Sequence, residues 1–432
     1  MTHRIVIVGG GAGGLELATR LGNSLGKRGK AQITLIDANL THIWKPLLHE
    51  VAAGSLNTSD DELNYLAQAK WNHFEFQLGR MCGLDREAKS VQLEALQDEN
   101  GNELVASRSI SYDSLVIAVG STTNDFGTPG AKDNCIFLDT RAQAERFHRK
   151  LLRHYMRSHA QQDTQQSIKV AIIGAGATGV ELSAELHHAA RELKAYGFKG
   201  IEPEDLRITL VEASPRVLPA LPDRIAGPVT ATLRRLGVTV LTGSAVSEVT
   251  PEGLKLQNGQ EIPATIKVWA AGIRAPRFLA GIGGLESNRL NQLMVKPTLQ
   301  TTLDEDIYAL GDCAACALHD NPERFVPPRA QAAHQMASLL AKSFKAKLAG
   351  KALPEFRYRD YGSLISLSSF SAVGNLMGNL TGDVMLEGRM ARWFYVSLYR
   401  LHQAALFGWF RTLLLMASDR LGRSTEPRLK LH

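Results

Sequence analysis

The chain has 432 residues, of which 44% are hydrophobic and 21% are charged, with 38 glycines and four cysteines. This length allows about two or three domains with cores of their own, and the composition excludes a largely disordered protein or one held by a disulfide framework. The net charge is +6, and residues 389–432 alone hold eight Lys or Arg against two acids. Because this segment carries the whole excess, we expect it to meet an anionic surface.

The N-terminal region has the pattern of a dinucleotide-binding unit. Residues 5–8 predict a strand, residues 15–25 a helix and residues 33–36 a second strand. The first turn reads Gly-Gly-Gly-Ala-Gly-Gly, and glycines at this spacing allow a tight turn, a close approach to a pyrophosphate and close strand–helix packing. An acid at the end of the second strand accepts hydrogen bonds from a ribose. The predicted contacts are Gly9, Gly11, Ala12, Gly13, Gly14 and Asp37.

A second unit of the same kind begins at Lys169. Strand 170–173 leads into Gly174-Ala-Gly176-Ala-Thr-Gly179, then a helix over 180–193 and a strand over 208–211 that ends at Glu212. An insert around 196–205 lengthens the connection. An acid at 212 repels a 2′-phosphate and so favours NAD over NADP, although Arg216 nearby weakens this preference.

Each unit is followed by a strand with a similar ending, at 115–121 and at 268–273, so the chain contains an internal duplication. Between the units we predict a helix over 140–159 and a linker over 161–167. After the second unit we predict a strand at 306–312, a helix over 328–347 and short β segments at 358–390. Two dinucleotide sites in one chain favour hydride transfer from a nicotinamide to a flavin.

Together these features resemble the flavoproteins with two dinucleotide-binding domains and, within them, the type II NADH:quinone oxidoreductases. The resemblance covers essentially the whole chain. It implies an α/β fold with two Rossmann-like domains of three-layer architecture and a C-terminal membrane-binding α+β segment. The implied domains are an FAD-binding domain at 1–165 and 274–345, an NADH-binding domain at 166–273 and a C-terminal domain at 346–432.

The resemblance implies non-covalent FAD at the first turn and NADH as co-substrate at the second. In Tyr308-Ala-Leu-Gly-Asp312 it assigns Asp312 to the ribityl side of the flavin, and it adds Gly120 and Lys45 as flavin neighbours. Lys45 stands in the stretch 42–49, where relatives that reduce disulfides carry redox cysteines and this chain has none. The alternative for Asp312 is a turn aspartate, and the alternative for Lys45 is an ordinary surface lysine. The implied NADH contacts are Gly174, Gly176, Gly179, Glu181, Glu212 and Gly272.

The catalytic residues implied by the resemblance are Glu181, Gln331 and Gln335. Glu181 matches a glutamate beside the nicotinamide, where a carboxylate positions the ring or relays protons; the alternative is an acid that favours a helix N-terminus. Gln331 and Gln335 lie one turn apart on a predicted helix and could both bind a quinone carbonyl, or they could simply face solvent. Arg389 and Met390 align with the family's quinone entrance.

The C-terminal residues 393–417 are aromatic and apolar but are interrupted by Arg400, His402, Gln403 and Arg411. Such a stretch is too short in its apolar runs to span a bilayer and is typical of an interfacial helix. We therefore expect residues 390–432 to bind anionic lipid, with a core-packing or homodimer-forming helix as the alternative. No targeting segment precedes the first strand, so we expect a peripheral protein on the cytoplasmic face of a bacterial inner membrane.

The predicted reaction is electron transfer from NADH through FAD to a membrane quinone, ubiquinone or menaquinone, without proton pumping. A sulfide:quinone reductase requires flavin-side cysteines, which Cys82, Cys135, Cys313 and Cys316 do not match. A soluble ferredoxin or rubredoxin reductase would lack the basic tail, and a membrane-attached NADH sensor would not turn over. The Cys313-Ala-Ala-Cys316 pair is expected to be packing, and neither a metal nor nucleic acid is expected.

Overall fold

A computed structural model describes residues 2–56, 62–161, 167–196, 205–367, 371–378, 382–387, 400 and 402–422. The chain divides into two compact units. The first comprises Met1–Trp44, Glu62–Thr122 and Ile273–Asp360, and the second comprises Lys45–Asp61, Thr123–Gly272 and Tyr361–His432. The domain limits implied by the resemblance concern the cofactors and remain a prediction.

The first unit is built around a large, mostly parallel sheet. Its centre is the strand His3–Val8, which pairs in parallel with Ala31–Asp37 on one side and Ser114–Ile117 on the other. Ile5, Val6, Ile7 and Val8 are all buried, as expected where both faces of a parallel sheet are covered. Among the described residues the sheet has nine strands, in the order Asn321–Phe325, Ala314–Leu318, Leu293–Val295, Gln300–Thr301, Asp304–Ala309, Ser114–Ile117, His3–Val8, Ala31–Asp37 and Glu75–Leu78.

Two long helices of the first unit, Ala12–Ser24 and Ala330–Leu348, pack against each other. Both predicted helices are thus confirmed, although the first begins already at Ala12. A shorter helix, Tyr65–Asn72, starts where the Asn64 side chain accepts a hydrogen bond from Ala67 N. The unit also has short antiparallel strands. Thr41–His42 pairs with Leu63–Asn64, and Leu96–Gln97 pairs with Glu103–Val105. Ser90–Leu93 is the central strand of a third sheet, between Met81–Asp85 and Arg108–Ser111.

The second unit repeats the plan on a smaller scale. Its parallel sheet has the order Ile136–Phe137, Ile266–Trp269, Ile168–Ile173, Leu206–Val211 and Thr239–Leu241. The strands Val246–Val249, Gly253–Leu256 and Glu261–Pro263 form an antiparallel sheet. Before its C-terminal part, the described helices of this unit are Leu48–Ala53, Ala131–Asn134, Arg141–Gln161, Ala177–Ala195 and Asp223–Arg235. The predicted α/β class with two Rossmann-like domains is therefore confirmed.

The C-terminal part of the second unit contains β and helical segments. Strands Gly362–Leu367, Ser371–Gly378 and Gly382–Glu387 pair in antiparallel order, within the range where short β segments were predicted. The helix Trp409–Gly422 follows. Arg389 and Met390, the predicted quinone-entrance residues, lie outside the described residues, as do 391–399, 423–432 and most of the insert and the linker.

Candidate functional site

The first glycine turn is closed by contacts that only glycine permits. Gly9 has a φ of 104°, and a Cβ there would lie 2.4 Å from Ala118 O. A Cβ on Gly14 would lie 1.9 Å from Gly9 O, and one on Gly13 would lie 2.5 Å from Leu310 Cδ1. Ala118 and Leu310 directly follow parallel strands, so the turn lies at the carboxyl edge of the sheet, where ligands bind in this architecture.

Gly11 differs from its neighbours because no protein contact requires a glycine there. Its φ is an ordinary −62°, and no described atom lies within 4 Å of a Cβ placed on it. Gly11 precedes the helix Ala12–Ser24, whose first N–H groups receive no side-chain cap from the described residues. Asp37 closes the turn, since its Oδ2 accepts a hydrogen bond from Gly10 N at 2.7 Å. Open space over uncapped N–H groups fits a phosphate.

The second turn reproduces this arrangement. Gly174 has a φ of 100°, and a Cβ on Gly179 would lie 2.0 Å from Gly174 O. Gly176 has a φ of −71° and again meets no described atom within 4 Å. Glu212 Oε2 accepts a hydrogen bond from Ala175 N at 2.7 Å, which is the counterpart of the bond that Asp37 makes. The duplication seen in the sequence is therefore also a duplication of the ligand-facing geometry.

Two other residues near the second turn were singled out by the sequence. Gly272 has a φ of 65°, a left-handed conformation that favours glycine, and a Cβ there would lie 2.4 Å from Cζ of the exposed Phe126. Arg216 forms an ion pair with Asp223 and donates a hydrogen bond to Pro219 O at 3.0 Å. Both side chains of this ion pair are exposed, at 36% and 90%.

Asp312 lies in a cavity of about 470 Å³ in the first unit. Its Oδ2 accepts a hydrogen bond from Ser121 Oγ at 2.7 Å, and its backbone carbonyl accepts one from Gln292 Nε2 at 2.8 Å. Ser121 directly follows Gly120, the other predicted flavin neighbour, which stands in the loop after the strand Ser114–Ile117. The sequence reasoning missed Gln292, because its bond to Asp312 joins residues 20 positions apart.

Cys313 and Cys316 are buried, free thiols. Burial raises the pKa of Cys313 to about 12 and that of Cys316 to about 11. The Cys313 thiol lies 3.5 Å from Ile117 O and 3.3 Å from Leu310 O. Thiols held in the protonated form are poor nucleophiles and poor metal ligands, and these contacts fit a packing role.

Glu181 and Lys45, both in the second unit, have different surroundings. Glu181 is only 7% exposed, and its Oε2 lies 3.8 Å from Nδ1 of the buried His49. Burial lowers the pKa of His49. Lys45 is much more exposed, with Nζ 3.4 Å from Asp139 Oδ1. A buried carboxylate beside a histidine is suited to handling protons. His49 was not among the predicted site residues.

The structure gives the two glutamines of the helix Ala330–Leu348 unlike partners. Gln331 Nε2 donates to Asp360 Oδ1 at 3.1 Å. Gln335 pairs with the backbone of Arg359, donating from Nε2 to the carbonyl at 2.8 Å and accepting from N–H at 3.0 Å. The two glutamines lie on one face of the helix, as predicted, and their amides bond to residues 359 and 360 at the end of the first unit.

A contact between the buried Glu16 and His334 joins the two long helices of the first unit. Glu16, 1% exposed, pairs with His334 and with Arg20. Burial alone would raise the pKa of Glu16, but its bond to His334 and the two neighbouring charges lower it. The His334 ring stacks on Trp44, with centroids 5.7 Å apart. Sequence reasoning missed this contact because Glu16 and His334 are 318 positions apart.

The C-terminal helix Trp409–Gly422 exposes an apolar surface. Trp409 is 64% exposed, Phe410 75%, Leu413 58% and Leu414 56%. Arg411 is exposed beside them. None of the helices in the described part of the chain is long and apolar enough to cross a membrane.

Comparison with known proteins identifies the family. Residues 3–337 match the family described as pyridine nucleotide-disulphide oxidoreductase. The chain is 47% identical to the type II NADH:quinone oxidoreductase of Haemophilus influenzae, over 99% of both chains. It is 30% identical to the type II NADH:quinone oxidoreductase Ndh of Mycobacterium tuberculosis, over 95% of this chain and 85% of that one.

Among solved structures, NDH2 from Plasmodium falciparum in complex with NADH has a similar fold. The TM-score is 0.79 at 20% identity, with 96% of this chain and 98% of that chain covered. Residues 3–337, which match the family model, include both glycine turns and their closing acids. The chain belongs to the pyridine nucleotide-disulphide oxidoreductase family and, within it, to the type II NADH:quinone oxidoreductases.

Proposed function

We propose that this protein oxidises NADH and reduces a membrane quinone, ubiquinone or menaquinone, with FAD as its bound flavin. The observation that carries the dinucleotide part of this proposal is the pair of glycine turns, at Gly9–Gly14 and Gly174–Gly179, whereas the quinone part rests on the family to which the chain belongs. Each turn has one glycine, Gly11 or Gly176, at which the space for a Cβ is empty among the described residues, and each turn is closed by its own acid. Two such turns in a chain of this family favour two dinucleotides.

The residues of the first unit fit FAD. Gly11 and the uncapped N-terminus of Ala12–Ser24 would hold the pyrophosphate. Asp37, whose Oδ2 bonds Gly10 N, would also accept from the adenosine ribose. Asp312, fixed by Ser121, would face the ribityl chain. When bound, FAD supplies a two-electron carrier between the nicotinamide reaction and the quinone reaction.

The residues of the second unit fit NADH. Gly176 would admit the pyrophosphate, and Glu212 would accept from the ribose hydroxyls. Because the carboxylate of Glu212 repels a 2′-phosphate, we expect NADH to be favoured over NADPH. Gly272 and the buried Glu181 complete the set of proposed contacts in this unit, and Lys45 is a proposed flavin neighbour.

The overall reaction is NADH + H⁺ + quinone → NAD⁺ + quinol. The hydride carries two electrons and one proton, whereas the quinone takes up two electrons and two protons, so one further proton comes from water. Glu181, whose Oε2 lies 3.8 Å from Nδ1 of His49, would hold or pass a proton within the second unit. Gln331 is the proposed quinone contact, with Gln335, Arg389 and Met390 as the further candidates from the sequence.

We also propose that the protein attaches to the surface of an anionic membrane, on the cytoplasmic face of a bacterial inner membrane. The exposed apolar residues of Trp409–Gly422, with Arg411 among them, support this. An apolar helix face binds at the lipid interface, and neighbouring basic residues add about 1 kcal/mol each at an anionic surface. A quinone dissolved in lipid would then be available to the enzyme.

Steady-state assays of the purified holoprotein test the proposal. We expect NADH to be oxidised when ubiquinone-1 or a menaquinone analogue is added, NADPH to be oxidised much more slowly, and FAD to be released on denaturation. A protein that releases no FAD would overturn the cofactor assignment. A protein that oxidises NADH only when ferredoxin or rubredoxin is supplied would overturn the quinone assignment.

A further inference from the structure

We propose that the two glutamines of the helix Ala330–Leu348 have different roles: Gln331 contacts the quinone, whereas Gln335 and Arg329 hold Asp360 in the place from which it positions Gln331. This inference rests on the proposed quinone reduction and goes beyond it. It assigns a positioning role to Asp360, which was not among the predicted site residues, and it removes Gln335 from direct quinone binding.

The bonding of Gln335 supports a structural role. Its amide meets the backbone of Arg359 twice, through Nε2 to the carbonyl at 2.8 Å and through Oε1 from N–H at 3.0 Å. Residues 351–361 have neither helical nor strand structure, so these two bonds attach the Arg359 backbone to the helix. A quinone bound by the Gln335 amide would have to replace both bonds.

Asp360 is held from the same helix. Arg329, the residue that precedes the helix, forms an ion pair with Asp360 at 3.1 Å. Asp360 Oδ1 then accepts from Gln331 Nε2, also at 3.1 Å. The side chains of Arg329, Gln331 and Gln335 thus bind Arg359 and Asp360, and all five residues belong to the first unit.

The carboxylate of Asp360 decides how the Gln331 amide is oriented. An amide has two donor hydrogens on one end and an acceptor oxygen on the other. Flipping the amide would place its carbonyl against a carboxylate, which is repulsive, so Asp360 selects one orientation of two. A quinone carbonyl needs a donor, and a fixed amide presents that donor without losing conformational entropy on binding.

A double-mutant cycle tests this role. In the holoprotein we expect Asp360→Ala to raise both the KM for ubiquinone-1 and its Kd, measured by calorimetry, by about tenfold, which corresponds to one charge-assisted hydrogen bond. Asp360→Asn keeps an acceptor oxygen and should lose less. In a Gln331→Ala background, Asp360→Ala should add nothing further. Asp320→Ala removes an exposed carboxylate of the same unit and serves as the control.

The flavin provides a readout that a misfolded variant would fail. We expect NADH to bleach the flavin of Asp360→Ala at the wild-type rate, because the defect concerns only quinone. Unchanged quinone affinity in Asp360→Ala, or effects of Asp360→Ala and Gln331→Ala that simply add, would overturn the inference while leaving the proposed function standing. If the wild-type protein itself does not reduce ubiquinone-1 or a menaquinone, it is the proposed function that fails.

Discussion

Gly176 and Gly179 stand in the same turn, yet different forces require a glycine at each. Gly176 meets no described atom within 4 Å of a Cβ, whereas a Cβ on Gly179 would lie 2.0 Å from Gly174 O. We predict that Gly176→Ala changes the free energy of unfolding by less than about 1 kcal/mol but raises the KM for NADH at least about tenfold. Gly179→Ala should destabilise the protein by about 1–3 kcal/mol.

Urea unfolding of both variants, together with NADH titrations, separates these effects. Equal losses of stability in the two variants would show that Gly176 also serves packing. A normal KM for NADH in Gly176→Ala would contradict the assignment of the second turn to the dinucleotide.

His42 makes stability depend on pH. His42 is buried in the first unit, and burial is the main cause that lowers its pKa from 6.5 to about 4. The charge of His334 also lowers this pKa, whereas a hydrogen bond with the Gly10 backbone raises it. Between these values the unfolded chain binds a proton that the folded protein does not. Stability is therefore fully present above pH 6.5 and falls as the pH drops towards 4, by about 3 kcal/mol at most.

The variant His42→Asn should lose less stability than the wild type between pH 6.5 and pH 4.5 in urea unfolding. His49, whose pKa burial also lowers, is present in both proteins and contributes equally to both. Parallel pH profiles for the two proteins would mean that His42 is protonated in the folded state as well.

At the scale of single elements, the C-terminal helix Trp409–Gly422 yields a prediction about membranes. We expect replacement of Trp409, Phe410, Leu413 and Leu414 by serine to release the protein from vesicles that contain anionic lipid, while FAD stays bound. These side chains are exposed, so the fold should tolerate the change. The readout is co-sedimentation with vesicles at two salt concentrations. Serine at Leu104, which is also exposed, is the matched control.

Elements whose partners are close in sequence were predictable. The strand His3–Val8, the glycine turn and Asp37 lie within one βαβ unit, so spacing alone indicated that the acid would reach the turn. The same holds for Glu212 and Ala175. An amphipathic pattern likewise predicted the helix Arg141–Gln161, and the prolines at 327 and 328 indicated where the helix Ala330–Leu348 begins.

Contacts that depend on tertiary packing were not predictable. The helical spacing placed Gln331 and Gln335 on one face but could not say that a segment without regular structure would bring Asp360 and Arg359 onto that face. The partners of Glu16 and Glu181 were missed for the same reason, because His334 and His49 lie on other elements. The quinone-side residues therefore depended on resemblance, and they remain proposals.

For the whole molecule, we propose that one chain passes electrons from NADH to a flavin and then to a quinone. Anaerobic stopped-flow mixing tests both steps in one experiment. We predict that an equivalent of NADH bleaches the flavin absorbance and that a subsequent equivalent of ubiquinone-1, or of a menaquinone analogue, restores it, with NADPH bleaching the flavin far more slowly. A flavin that NADH does not bleach, or that bleaches but is not restored by either quinone, would contradict the account.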